Sequence, residues 1–205
     1  MQEPLAKLCK GFSFPGDIDS DALEFLMYHG RQDVAKHVLA VKDMAQRIAS
    51  KFSVNIELAR CAGLLHDISL VIPTSDMLQT SLELGIEVIA EEKQVPYLIH
   101  GKLSALIAEE VFGIKNDSVI HAISCHSTLC ANASSLDKVL FVADKMSWEP
   151  EHSPFRLELA EALEKSLDEA VGCFLTWTWN RKDKLDVIHP WLKEAWNDLV
   201  PAKNE

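Results

Sequence analysis

His66 and Asp67 stand side by side at the end of an apolar run, in the stretch CAGLLHDISL over 61–70. Two ionisable side chains in that setting either face water or are held by something that makes their charge tolerable. Four further residues share this character. His37 lies among Val34, Val38 and Val41; His100 shares a helical face with Leu103 and Ile107; His126 shares one with Val119 and Ile123; Asp144 follows Leu140 and Phe141. A single histidine on an apolar face is ordinarily a hydrogen-bonded core residue, and a single buried carboxylate can be neutralised by a nearby lysine. Taken together, however, the six require several independent coincidences. A bound metal supplies one cause, because imidazole and carboxylate suit divalent transition metals, with Fe, Mn, Co, Ni and Zn all compatible. His66 and Asp67, adjacent on one helix, point about 100° apart. They can reach a common cluster from different directions, and the carboxylate can span two ions.

The elements that must position these residues read as helices throughout, with no convincing strand alternation. Val34, Val38, Val41, Ala45 and Ile48 form one stripe over 33–52, and Asn55 is a good N-cap for the segment ending at His66–Asp67. Further helices are expected from Pro73 to Gly85, over 95–113, over 116–127 and over 134–146. Residues 155–180 and 183–199 read as two last helices, beyond a linker-like piece at Ser147–Pro154. The first twenty residues, with Pro4, Gly11, Pro15 and Gly16, are expected to be irregular. The expectation is therefore an all-α chain: an irregular segment 1–20, then a single helical domain over 21–199 with an extra helical pair at its end.

Composition narrows the function. At 48% hydrophobic and 25% charged residues, the chain has ordinary globular character. No apolar run approaches the roughly 20 residues of a membrane helix, and the first residues lack the basic-then-apolar order of a secretory signal. A cytoplasmic location without a membrane partner is expected. A net charge of −11 disfavours nucleic acid as a partner. It leaves room for a small phosphorylated substrate only if a cation or a local basic cluster offsets the repulsion. The five cysteines contain no C-x-x-C pair, which argues against a disulfide framework and a zinc knuckle; Cys61 and Cys125 read as small core residues.

His37, the pair His66–Asp67 and Asp144 resemble the H…HD…D signature of the HD superfamily of metal-dependent phosphohydrolases. His100 in LIHGKLSALIAEEVFGI and His126 in AISCHST narrow the likeness to its YqeK-like branch, as do the segment LDKVLFVADKMSWEP and the ending HPWLKEAWNDL. The resemblance runs from about residue 21 to 199. It implies an HD-domain helical bundle that hydrolyses diadenosine tetraphosphate symmetrically to two ADP at a two-metal centre, reported as di-iron. It further implies one metal on His37, His66, Asp67 and Asp144, and a second on His100 and His126 with Asp67 bridging. Asp67 would also act in catalysis, orienting the attacking hydroxide or accepting its proton.

The chain departs from that branch where positive charge is usual. Leu70 stands three residues after Asp67 in place of a lysine, Val34 and Ala35 replace an Arg-Tyr pair, and no arginine follows His126. Lys36, Lys102 and Lys145, each next to a ligand candidate, with Ser127 and Thr128, are the substrate-binding candidates that remain; each lysine taken alone is more simply a solvated surface residue. Two other activities stay open: hydrolysis of a different small phosphoester, and a catalytically weak domain that senses nucleotides or docks a partner. His29, His121, His152 and His189 read as surface or capping residues, and Glu91–Glu92 and Glu109–Glu110 as solvated helical faces. Trp177, Trp179, Trp191 and Trp196 are expected to pack the last two helices together or to face a second subunit, which is compatible with a homodimer.

Overall fold

A computed structural model describes residues 2–149 and 153–200, so His152 lies outside the described residues. Among the described residues the chain is all-α, with no strand. Its helices are α1 (Glu3–Leu8), α2 (Ile18–Tyr28), α3 (Gln32–Lys51), α4 (Ile56–Leu65), α5 (Thr74–Glu83), α6 (Ala90–Gln94), α7 (His100–Glu110), α8 (Asp117–Cys125), α9 (Ser135–Met146), α10 (Arg156–Lys165), α11 (Leu167–Trp179) and α12 (Pro190–Leu199). No described helix is long and apolar enough to cross a membrane.

The central layer is α3, α4, α8 and α9. The valine stripe of α3 buries Val34, Val38 and Val41 against α4 and α9, and α8 closes the group by packing on α4, α7 and α9. Side-chain caps start these helices where the sequence places them: Asn55 accepts from Glu57 and Leu58 N–H groups, Asn116 from Val119, and Ser134 from Asp137. Two glycines set how closely the helices approach. A Cβ on Gly63 would lie 2.9 Å from the Lys42 Cα, and one on Gly101 would lie 2.6 Å from the Ser124 carbonyl oxygen. Only the missing side chain lets α4 rest on α3, and α7 on α8, at this distance.

Three expectations are corrected at element ends. The first twenty residues contain α1 and the start of α2, and Leu5 is fully buried in the common core. The segment 155–180 is two helices, broken at Ser166, whose extended backbone (φ −163°, ψ 164°) lets its side chain cap the Glu169 N–H of α11. The last helix begins at Pro190 rather than 183, capped by His189; before it there is only a 3-10 turn, Lys182–Lys184. Of the tryptophans, Trp179 and Trp196 join the last two helices, stacked with centroids 5.1 Å apart, whereas Trp177 meets Phe155 at 4.8 Å and Trp191 lies against His189 at 5.4 Å.

Candidate metal centre

The six ionisable residues converge. His37 projects from α3 and Asp144 from α9, whereas the other four sit at helix ends. α4 stops at Leu65, leaving His66 as its C-cap, and Asp67 (φ −112°, ψ 15°) has already left the helix for the 3-10 turn Ile68–Val71. The pair therefore fans out because the helix ends, not because one helix carries both. His100 opens α7 and His126 caps the end of α8.

One local device aims three of the imidazoles. Nδ1 of His66, His100 and His126 lies 2.8, 2.6 and 2.8 Å from the carbonyl oxygen three residues earlier, on Gly63, Tyr97 and Ile123. A carbonyl only accepts, so each Nδ1 carries the proton and each neutral ring presents a bare Nε2 inward. The Nε2 atoms of His100 and His126 then face each other at 3.2 Å, and those of His66 and His37 at 3.3 Å. The facing lone pairs of His100 and His126 repel unless a cation or a shared proton lies between them, whereas His37 Nε2 also stands 3.0 Å from Asp144 Oδ1.

Asp67 divides these imidazoles into two sets. Its Oδ1 is 3.5 and 3.6 Å from Nε2 of His100 and His126; its Oδ2 is 3.5 and 3.8 Å from Nε2 of His66 and His37. Asp144 Oδ1 joins the second set, 3.0 Å from His37 Nε2. Oδ1 of Asp67 is buried and has no hydrogen-bond donor among the described residues. An orphaned carboxylate oxygen facing bare imidazole nitrogens fits a divalent metal, and two triads satisfy a metal's spacing: His37, His66 and Asp67, and Asp67, His100 and His126.

The electrostatics of Asp67, His126 and Asp144 agree, whereas His66 is raised, its burial outweighed by Asp67 and Asp144. Burial alone would raise the Asp67 carboxyl, but His66, His126 and His100 hold it well below the usual carboxylate range. Burial, reinforced by His66 and His100, pushes His126 down to about 4, so it is neutral at pH 7, the form that ligates. Asp144 is also held far below the ordinary value, burial being outweighed by Lys145, His37 and His66.

The centre floors a cleft of about 850 Å³. Lys36 and Ser127 line it, and the Ser127 hydroxyl lies 3.0 Å from His100 Nε2. Lys145 reaches it from beneath, buried, with Nζ donating to Asp144 Oδ2 and to the His126 carbonyl, both at 2.8 Å. It is no solvated surface lysine. Lys102 and Thr128 stand outside the cleft. Lys102 is bound to Glu92 and the Glu87 carbonyl, and the Thr128 hydroxyl donates to the Leu129 carbonyl. Glu92, read as solvated, is buried; so is His189 beside it.

Three cleft residues escaped the sequence reading. Tyr97 lies over His100 with centroids 4.6 Å apart, Trp148 donates from Nε1 to Asp144 Oδ1 at 3.2 Å, and Arg31 faces the opening with its guanidinium on Asp33. Tyr97 and Trp148 sit three residues before and four after a ligand candidate, a helical spacing that could have found them. Arg31 lies before α3 and leaves no periodic signal.

The HD domain model matches residues 34–149, the span that carries all six residues. The chain belongs to the HD domain family. A solved HD superfamily hydrolase from Clostridium acetobutylicum, described as involved in NAD metabolism, superposes with a TM-score of 0.81 at 30% identity, covering 88% of this chain and 95% of that one. An uncharacterized protein encoded in the pepC 5' region of Lactococcus lactis is 41% identical over 139 residues, 67% of this chain and 70% of that protein. A symmetrical bis(5'-nucleosyl)-tetraphosphatase of Staphylococcus aureus is 28% identical over 110 residues, 53% of this chain and 55% of the relative. The chain thus spans about half the length of that named enzyme.

Proposed function

We propose that this chain is a metal-dependent phosphohydrolase that cleaves diadenosine tetraphosphate symmetrically, adding water across the central P–O–P bridge to give two ADP. The observation that carries the reading is the single buried carboxylate of Asp67, placed between two imidazole pairs with an unsatisfied oxygen. The similarity to the named tetraphosphatase supports the choice of substrate.

One ion would be held by His37, His66, Asp67 and Asp144, and a second by His100 and His126 with Asp67 shared. Iron is the ion the resemblance implies. When bound, such ions supply Lewis-acid charge for phosphate oxygens and a water acidic enough to be deprotonated near neutral pH. The remaining work falls to the chain. Asp67 orients the attacking water and accepts its proton. Ser127 offers a hydroxyl to the substrate on the His100–His126 side. Lys36 and Arg31, at the rim, meet the outer phosphates. Tyr97, Trp148 and the apolar wall that includes Leu70 and Met77 exclude water and give a nucleoside a surface to lie on.

Leu70 also favours a second reading. It puts an apolar side chain on the cleft wall, which suits a smaller phosphoester that needs no charge there. Product analysis with metal-loaded protein separates the two. Diadenosine tetraphosphate should yield ADP alone, and Asp67→Ala should abolish turnover while helical content stays intact. ATP plus AMP, or cleavage confined to other phosphoesters, would overturn the first reading. A protein that binds metal or nucleotide without any turnover would overturn both.

A further inference from the structure

A second cluster of metal-ligating side chains lies on the far side of α8 and shares no donor with the centre above. His121 and Cys125 are four residues apart on one face of α8. The helix then closes with the Leu129 N–H on the Cys125 carbonyl at 2.7 Å, and Leu129, fully buried, takes φ 59°. A left-handed leucine costs about 1–2 kcal/mol, and the consequence of that turn is that Cys130 folds back over the helix it has just left. Its Sγ comes to 3.9 Å from His121 Nε2 and lies within 4.8 Å of the Cys125 thiol, which itself donates to the Ala122 carbonyl at 3.9 Å.

Asp137, buried on α9, holds the imidazole from the other side. Its Oδ1 takes the His121 Nδ1 at 3.0 Å, while its Oδ2 accepts the Ser134 N–H at 2.7 Å. The carboxylate therefore fixes the proton on Nδ1 and leaves Nε2 bare, aimed at the thiols. A carboxylate behind a histidine is the arrangement that orients metal-ligating imidazoles. One donor atom from each of the four residues falls within 4.8 Å of all the others. Around one tetrahedral zinc, N and S donors lie about 3.6 Å apart, so the 3.9 Å separation needs only a small inward movement.

We propose that His121, Cys125 and Cys130 bind a soft divalent cation of the zinc class, with Asp137 as the positioning residue for the imidazole. The fourth coordination place falls at the solvent edge beside His121 and is taken by water. A disulfide between the two thiols would leave the oriented imidazole without a purpose, whereas a metal uses every member of the cluster. Because Cys125 immediately precedes His126, the ion braces the end of α8 that presents an imidazole to the catalytic cleft.

Cobalt(II) titration of the full chain tests this, because thiolate-to-cobalt charge transfer absorbs in the near ultraviolet and the six residues of the cleft include no sulfur. The band should appear, its intensity should correspond to about one thiolate-bound cobalt per chain beyond whatever the cleft takes up, and it should vanish on adding zinc. It should be lost in Cys130→Ser, a half-exposed position where the fold tolerates the change, and should persist in Asp67→Asn. Folded protein without a thiolate band would overturn the site, as would a band indifferent to Cys130→Ser. So would a Cys125–Cys130 disulfide in protein purified without reductant.

Discussion

Among the described residues, Lys145 is the one lysine or arginine buried at the candidate metal centre. Besides its two hydrogen bonds, its ammonium lies 4.6 Å from the Phe141 ring centroid and 5.7 Å from those of Trp148 and Phe174, so it is walled by aromatic faces. Lys145→Met keeps the length and removes the charge, stranding Asp144 and the His126 carbonyl. Breaking a buried pair from one side costs about 3–5 kcal/mol, and urea unfolding of chelated protein should show a loss of that size. The sign of its pH dependence follows from Asp144. Its folded value lies below the ordinary 3.8, so the stability it contributes is present above that pH and fades as acid protonates it. The gap between wild type and Lys145→Met should therefore narrow below about pH 4; a gap that is constant, or below about 1 kcal/mol, would show that the pair does not hold the centre. At this scale the candidate ligand cluster was legible because histidine and aspartate are conspicuous among leucines and valines. Lys145 was not, because a lysine beside an acidic residue near a helix end is usually solvated, and only the packing of α9 against α8 and α11 puts it inside.

Helix ends, more than helix faces, make the cleft. Periodicity announced where helices run and set His100 and His126 on apolar faces, but it did not show that His66, Asp67, His100 and His126 stand at caps and first turns. The same blindness merged α10 with α11: Ser166 interrupts an otherwise continuous apolar rhythm, and one extended residue is enough to turn the chain. Gly101 tests the link between helix approach and metal geometry. It follows His100 directly, and its missing side chain lets α7 reach the Ser124 carbonyl on α8. Gly101→Ala forces methyl against backbone, which cannot rotate away. Such overpacking costs about 1–3 kcal/mol and separates His100 from His126. Thermal unfolding should shift down, and metal content should fall by about one equivalent, from the His100–His126 side. Unchanged metal content with lowered stability would mean that the imidazoles are placed by their Nδ1 bonds alone, not by the helix spacing.

Across the whole molecule, α12 is tied back to α6 and α7 through one buried acid. Glu92 accepts from Lys102 Nζ at 2.8 and 2.9 Å on its two oxygens and from the Ile89 N–H at 3.0 Å, and it lies 3.3 Å from His189 Nε2, 97 residues away in sequence. His189 in turn caps α12 by accepting from the Trp191 N–H. Nothing in a linear pattern couples residues so far apart. An acid in the run AEEKQ therefore reads as solvated until α12 is seen to cover it, and the same contact holds Lys102 outside the cleft. Glu92→Gln keeps the shape but sets an amide against the Lys102 ammonium, with an expected cost of about 3 kcal/mol for one side of a buried pair. The loss should be local first: α12 should loosen, and protease should cut near Lys182–Lys184 sooner than in wild type. Burial would raise the Glu92 carboxyl, yet His189, Lys102 and the Ile89 N–H together hold it below 4.5. Its contribution is thus complete above about pH 4.5 and disappears as the pH falls through the lower folded value. Wild type and Glu92→Gln should converge in stability and in protease sensitivity on acidification. If they stay apart in acid, or if α12 is equally protected in both at pH 7, the acid is not what anchors the helix, and the stacked Trp179–Trp196 pair carries that contact instead.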